Sequence, residues 1–189
     1  MRLAAAHAAA LVFTLGLPAT ALANWCDLPE DQWPEIVAPS VDGAWSSETL
    51  SGLAFVEGEA VAMPERISGL ATFRADGGML FLAPPQTPAE FELLPAGGES
   101  WDLAMGGEDA LPAQTVFDDP TFGFGLECPL DALPRYRTGG RLEDAEGGVD
   151  FMLYLVMPDA DTVYAVTVAD LDAPDGTAGV ARVISRFTR

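Results

Sequence analysis

Alternation of hydrophobic and polar positions is clearest in the last third of the chain. The segments 148–157, 162–171 and 180–189 are rich in Val, Leu, Tyr and Phe, and turn-forming residues separate them at 158–161 and 172–179. Runs of this length, bounded by Pro, Asp and Gly, are typical of strands joined by tight turns. The pattern therefore predicts three successive antiparallel β-strands.

The middle of the chain repeats this organisation. The sequence Asp76-Gly77 between two apolar runs is a strong hairpin signal. Two more turns rich in Gly, Glu and Asp lie at 106–109 and 145–148, each between apolar runs, and a further strand is predicted at 90–94. The total is about eight to ten short strands with almost no helix, which favours an all-β antiparallel barrel or sandwich.

The segment before the first strand reads differently. Residues 24–42 predict an irregular lead-in with one helical turn around 29–32, because Pro34 and Pro39 interrupt any longer helix. The first strand then follows over 43–56. We expect residues 24–189 to form one domain with its own core.

One predicted strand is apolar on both faces. Val149, Phe151, Leu153 and Leu155 share one face of the segment 148–157, while Met152, Tyr154 and Val156 share the other. A strand of this kind is buried on both faces. In a barrel, the outer face then needs a cover, and the lead-in is the segment we expect to supply it.

The N-terminus has the layout of a cleaved signal peptide. Arg2 precedes an apolar run over 3–17, and Ala21-Leu22-Ala23 forms a small-x-small cleavage site before Asn24. Because no other long apolar run follows, we expect residues 1–23 to be removed and the mature chain to have no transmembrane segment. The predicted location is periplasmic or secreted. Export to an oxidising compartment favours a structural disulfide between Cys26 and Cys128.

Charge and residue usage exclude several functions. The chain carries 29 acidic residues against nine basic ones, a net charge of −20, which disfavours nucleic acid as a partner. Its one histidine, His7, lies in the signal peptide. The mature chain therefore has no Ser-His-Asp or Cys-His mechanism and no histidine-ligated metal. We expect a protein that is not an enzyme and has neither a metal nor another cofactor.

Two acidic patterns suggest other chemistry, and each has a simpler interpretation. The sequence 170–176 is similar to a calcium-binding loop, but its spacing is too long and it lacks the final glutamate. Glu90 and Glu92 would share one strand face, as paired glycosidase carboxylates do. We interpret 170–176 as a hairpin loop with solvated acidic side chains. We interpret Glu90 and Glu92 as an outward-facing pair.

The start of the first strand resembles a known family. Gly43 and Trp45 form the G-x-W signature of lipocalins, in which the tryptophan closes one end of a barrel and packs against a late arginine. The resemblance implies an up-and-down barrel in which Arg182 or Arg186 fills that role, with 180–187 paired beside the strand of Trp45. The chain lacks a T-D-Y-type motif and a long helix after the last strand, so the expectation is a lipocalin-like small barrel.

The predicted function is binding. A barrel of this size can hold one small apolar ligand. The residues predicted to line the interior share a large apolar side chain: Phe73, Phe81, Phe151, Leu153 and Tyr164. The alternative is a protein-recognition or inhibitor module that binds an exported partner through its loops, with Phe122 and Phe124 as the contact.

Overall fold

The chain folds as an antiparallel β-barrel. A computed structural model describes residues 25–57, 59–62, 68–85, 87, 89–97, 102–103, 114–115, 128–144, 147–172, 176 and 178–189. Within these residues the helices are two short 3-10 turns, Glu30–Gln32 and Leu130–Ala132, and the α-helix α1, Trp33–Val41. The strands, in chain order, are β1 (Gly43–Val56), β2 (Glu59–Ala62), β3 (Ser68–Asp76), β4 (Met79–Ala83), β5 (Phe91–Pro95), β6 (Asp102–Leu103), β7 (Gln114–Thr115), β8 (Arg135–Asp144), β9 (Gly147–Val156), β10 (Thr162–Asp172) and β11 (Ala178–Thr188).

Eight of these strands close into a ring. The order β11-β10-β9-β8-β5-β4-β3-β1 is completed by pairing of β11 with β1, while β2 pairs with the far end of β1 as an additional strand. β6 and β7 form a separate antiparallel pair. The predicted all-β barrel is confirmed. So is the predicted closure, because Ser47 lies opposite Phe187 in the β1–β11 ladder.

The lead-in is mostly helical. The helical turn predicted around 29–32 is present as the 3-10 turn Glu30–Gln32, but the segment predicted to be irregular after it forms an α-helix. Helix α1 spans nine residues despite Pro34 and Pro39. Pro34 lies in the first turn, where the missing N–H would have had no helical partner, and Pro39 lies near the end. The helix buries one face against the barrel core through the side chains of Trp33, Val37, Ala38 and Val41. This burial offsets the unfavourable local contribution of Pro39.

Helix α1 closes one end of the barrel. Its buried face joins the interior cluster of inward-facing residues, among them Trp45, Phe73, Leu155 and Val163. Backbone hydrogen bonds hold the chain ahead of the helix in place, with the Trp25 N–H donating to Pro158 O and the Asp27 N–H to Ala132 O. The lead-in therefore plugs the barrel and does not cover its outer wall.

A second cluster covers the outer wall of β9, β10 and β11. The prediction that β9 is buried on both faces holds only in part, because on the outer face Val156 is buried while Met152 and Tyr154 are half-buried. The cover comes from the segment around Leu130–Ala132. The disulfide between Cys26 and Cys128 joins this cover to the lead-in across a sequence separation of 102 residues. The buried members of the second cluster are Ala96, Leu133, Val156, Val166 and Ile184.

The described helices do not include one that is both long and apolar enough to cross a membrane. The predicted signal peptide, residues 1–23, lies outside the described residues and stays a prediction. The same holds for Phe122 and Phe124, the predicted contact for an exported protein partner.

Candidate functional site

The half of the barrel away from α1 contains a cavity of about 300 Å³. Its walls come from the inward-facing positions of seven barrel strands and from the connection between β4 and β5. The described residues that line it carry no charge: Ser47, Thr49, Leu82, Pro84, Pro85, Thr87, Phe91, Leu142, Val149, Phe151, Leu153, Ala165, Thr167, Ala169, Ser185 and Phe187.

The cavity exists because small side chains occupy inward positions in this half of the barrel. Along β10, the inward residues after Val163 are Ala165, Thr167 and Ala169. On β1, the large Trp45 is followed inward by Ser47. Side chains this small cannot reach the opposite wall of an eight-stranded barrel. The space between them and the aromatic residues at the closed end therefore stays open.

The two sides of the cavity differ in chemistry. The side formed by β4, β5 and β9 is apolar, and its centre is an edge-to-face pair of Phe91 and Phe151 with ring centroids 5.0 Å apart and planes at 76°. Gly140 of β8 lies beside this pair, since a Cβ at that position would lie 3.6 Å from the Phe151 ring, an ordinary contact distance. This side offers aromatic and aliphatic contacts to a ligand.

The side formed by β1, β11 and β10 carries hydroxyl groups. We call Ser47, Thr49, Thr167 and Ser185 the hydroxyl face. Thr49 and Ser185 are direct cross-strand partners in the β1–β11 ladder. Thr167 lies diagonally from Ser185 on β10, because its direct partner is Val183 and that of Ser185 is Ala165. The hydroxyl face is therefore one continuous polar strip.

The closed end of the barrel is an aromatic stack. Phe73 contacts Trp45 on one side and Phe187 on the other, in edge-to-face geometry at 5.5 and 5.6 Å between centroids. The Trp45 indole Nε1–H donates to Val41 O at 2.8 Å. Gly43 turns the chain from α1 into β1 at φ +126°, a conformation that favours glycine. Gly43 and Trp45 thus lie at the end of the barrel that α1 closes.

The arginine over Trp45 is Arg189, and the prediction of Arg182 or Arg186 was wrong. The Arg189 guanidinium lies 4.8 Å from the Trp45 ring centroid. Arg182 lies opposite Leu53, eight residues along β1 from Trp45, or roughly 26 Å at strand spacing. Arg186 lies opposite Glu48 and forms an ion pair with it. The strand register, which the sequence does not show, decides between the three.

The residues predicted to bind a ligand divide into three groups. Phe151 and Leu153 line the cavity. Phe73 faces the interior but belongs to the aromatic stack at the closed end. Phe81 and Tyr164 do not line it, and their prediction was wrong. Phe81 lies outside beneath the Arg74 guanidinium at 4.2 Å, and Tyr164 packs against the second cluster.

Charged side chains on the outer surface of the barrel form ion pairs with one another. Arg74 forms a bidentate pair with Glu90 at 2.8 Å, and this pair holds the pKa of the Glu90 carboxyl below its usual range. Arg141 pairs with Glu143 at 2.8 Å and with Asp150 at 2.5 Å. These pairs are exposed, so they contribute little to stability. They place the charge of this wall away from the cavity.

The hydroxyl face and the small residues beside it were not predicted from the sequence. The residues predicted to line the interior include no Ser or Thr. A usable signal was present, because Ser47 and Thr49 lie in phase with Trp45, while Thr167 and Ala169 lie in phase with Val163. Small and hydroxyl side chains in phase with a buried aromatic indicate a cavity wall.

Comparison with known proteins finds no matching family, no similar curated protein and no similar solved structure. The resemblance to lipocalins through Gly43 and Trp45 therefore stays a prediction.

Proposed function

We propose that the mature protein is an exported, non-catalytic binding protein that holds one small, mainly apolar ligand in its barrel. The observation that carries the proposal is the cavity of about 300 Å³ above the aromatic stack. Pockets that bind small molecules begin at about this volume and are mostly apolar with a few polar groups. The cavity has the volume of roughly ten molecules of liquid water.

The lining favours binding over catalysis. The described lining residues are Ser, Thr, Ala, Val, Leu, Pro and Phe, and none of these side chains ionises near neutral pH. A hydroxyl nucleophile needs a neighbouring general base, and the described lining residues include none. Burial of apolar ligand surface against Phe91, Phe151 and Leu153 would provide the driving force.

Export is supported by two features that are independent of the cavity. The first 23 residues have the order of a signal peptide, with a charged start, an apolar run and a small-x-small site. The Cys26–Cys128 disulfide suits an oxidising compartment. The ligand would then be a molecule that the protein meets outside the cytoplasm.

A titration with the neutral fluorescent probe N-phenyl-1-naphthylamine tests the proposal. We expect saturable binding to one site. The substitutions Ala165→Leu and Ala169→Leu add apolar volume inside the cavity and should each weaken binding at least about tenfold. Ala44→Leu is the matched control, because Ala44 is an exposed outer residue of β1, and it should leave the affinity unchanged.

Circular dichroism of each variant establishes that the barrel is retained. Absence of saturable probe binding to the wild-type protein would refute the proposal. So would equal affinity in folded Ala165→Leu, Ala169→Leu and Ala44→Leu proteins, since the probe would then bind outside the barrel.

A further inference from the structure

We propose that the ligand is an electrically neutral molecule with a hydrogen-bonding oxygen or nitrogen, and that this group contacts the hydroxyl face. This inference rests on the proposed function and names the ligand class. It follows from three observations. The hydroxyl face is continuous, the hydroxyls of Thr49, Thr167 and Ser185 have no hydrogen-bond partner among the described residues, and the described cavity lining is uncharged.

The geometry of the strands brings the hydroxyls together. Thr49 and Ser185 lie opposite each other on the inward face of β1 and β11, where cross-strand Cβ atoms are about 4.5–5.5 Å apart. Thr167 lies on the diagonal from Ser185, at about 7–8 Å. One ligand group of a few atoms can therefore reach two of these hydroxyls at once.

These hydroxyls are available to a ligand. Ser47 Oγ donates to Gly69 O at 3.3 Å, whereas no hydrogen bond joins the side chains of Thr49, Thr167 or Ser185 to another residue in the described part of the chain. Each hydroxyl offers one donor and two acceptor lone pairs. A ligand alcohol, amide or carbonyl that replaces water at this strip keeps those groups paired, whereas a hydrocarbon leaves them unpaired.

An ionised ligand group does not suit the cavity. Among the described lining residues there is no Arg, Asp or Glu that would compensate its charge, and an unpaired charge in an apolar site is strongly unfavourable. Arg141, a cation of the neighbouring outer wall, already pairs with Glu143 and Asp150. The chain's net charge of −20 further repels anions.

The inferred ligand is therefore amphiphilic and has one orientation. Its hydrogen-bonding group faces β1, β11 and β10, and its apolar body lies against Phe91, Phe151 and Leu82 on the other side of the barrel. The aromatic pair at this side can accept either a ring or an aliphatic chain.

Isothermal titration calorimetry with naphthalene, 1-naphthol and 1-naphthoate separates the three ligand classes on one scaffold. We expect 1-naphthol to bind most tightly and 1-naphthoate most weakly. The variants are Thr49→Val, Thr167→Val and Ser185→Ala. A variant that removes a hydroxyl in contact with the ligand should weaken 1-naphthol binding about 2- to 12-fold. The inference requires this loss in at least one of the three variants. Naphthalene affinity should be unchanged or higher in these variants. The matched control is Thr188→Val, which removes a hydroxyl from the outward face of β11. It should change neither the 1-naphthol affinity nor the naphthalene affinity.

The outcomes distinguish this inference from the proposed function. Equal affinity for naphthalene and 1-naphthol, or tighter binding of 1-naphthoate, overturns the neutral hydrogen-bonding ligand while apolar binding in the barrel stands. The inference is also overturned if the three hydroxyl-face variants behave like Thr188→Val. Absence of saturable binding by all three compounds overturns both proposals.

Discussion

Tyr136 of β8 provides the sharpest test of the packing at the closed end. Its side chain is 2% exposed, and its ring lies 5.6 Å from that of Trp33 in helix α1. The hydroxyl is buried and has no hydrogen-bond partner among the described residues. Burial raises the pKa of the Tyr136 phenol, and the negative charge of Glu30 raises this pKa further. The perturbation we consider is Tyr136→Phe.

The sign of the pH dependence follows from the raised pKa. A tyrosine in the unfolded chain loses its proton near pH 10, whereas Tyr136 in the folded protein keeps it to higher pH. Its contribution to stability is therefore fully present below pH 10 and is lost as the pH rises above that value. The loss approaches about 1.4 kcal/mol per pH unit and amounts to about 1.4 kcal/mol at pH 11. Tyr136→Phe removes this pH-dependent loss of stability.

Urea denaturation at pH 7, 9, 10 and 11 measures the effect. At pH 7 we expect Tyr136→Phe to leave the free energy of unfolding unchanged or to raise it by up to about 1 kcal/mol, because the lost hydroxyl has no partner. At pH 11 the variant should exceed the wild type by about 1.4 kcal/mol more than at pH 9.

The control for this comparison is Tyr164→Phe, which removes a phenol hydroxyl from the outer face of β10. If wild type and Tyr136→Phe lose the same stability between pH 9 and 11, the reasoning is refuted, because Tyr136 would then titrate as it does in the unfolded chain.

Two further predictions concern the cover and the closed end. Cys26→Ser with Cys128→Ser should lower the free energy of unfolding by about 4.7 kcal/mol, the chain-entropy value for a loop of this size, and a loss below about 2 kcal/mol in urea denaturation would contradict it. A double-mutant cycle of Arg189→Gln and Trp45→Leu should give a coupling energy of about 0.5–1 kcal/mol. The same cycle with Arg182→Gln should give none, and equal couplings would disprove the assignment of Arg189.

Strand positions could be predicted from the sequence because every second side chain of a half-buried strand faces the core. The predicted first strand, 43–56, is β1, and the Asp76-Gly77 turn joins β3 to β4. The inward and outward faces of β9 were also predicted correctly, since Phe151 and Leu153 line the cavity while Val156 lies in the second cluster. Each of these results depends on a local signal, either the alternation of apolar and polar residues along a strand or the turn residues between two strands.

Helix α1 could not be predicted because its stability comes from tertiary contacts. Pro34 and Pro39 are local signals against a helix, and the burial of Trp33, Val37 and Val41 in the barrel opening outweighs them. The partner of Trp45 was missed for a related reason. The choice among Arg182, Arg186 and Arg189 depends on the register between the first and last strands, which have no local relation in the sequence.

The candidate site was predicted only in part, because side-chain size was taken as the guide to lining residues. Large apolar residues fill a barrel interior, whereas small ones leave it open. The cavity depends on Ala165, Ala169 and the hydroxyl face as much as on Phe151. Phe81 was assigned to the interior by its apolar character, yet it alternates with the buried residues Leu80 and Leu82 and so faces outward.

The pairing of β1 with β11 also sets the order in which the barrel can form. Ser46 and Thr188 are neighbours in this ladder although 142 residues separate them in sequence, whereas β8 to β11 pair through short connections. Contacts between distant residues require a large loop-closure entropy and form late. During synthesis, the hairpins of β8, β9 and β10 can assemble while the barrel is still an open sheet. The ring closes only when Ala178–Thr188 becomes available, because this one strand pairs with both β10 and β1. Closure of the ring and formation of the cavity are therefore a single late step.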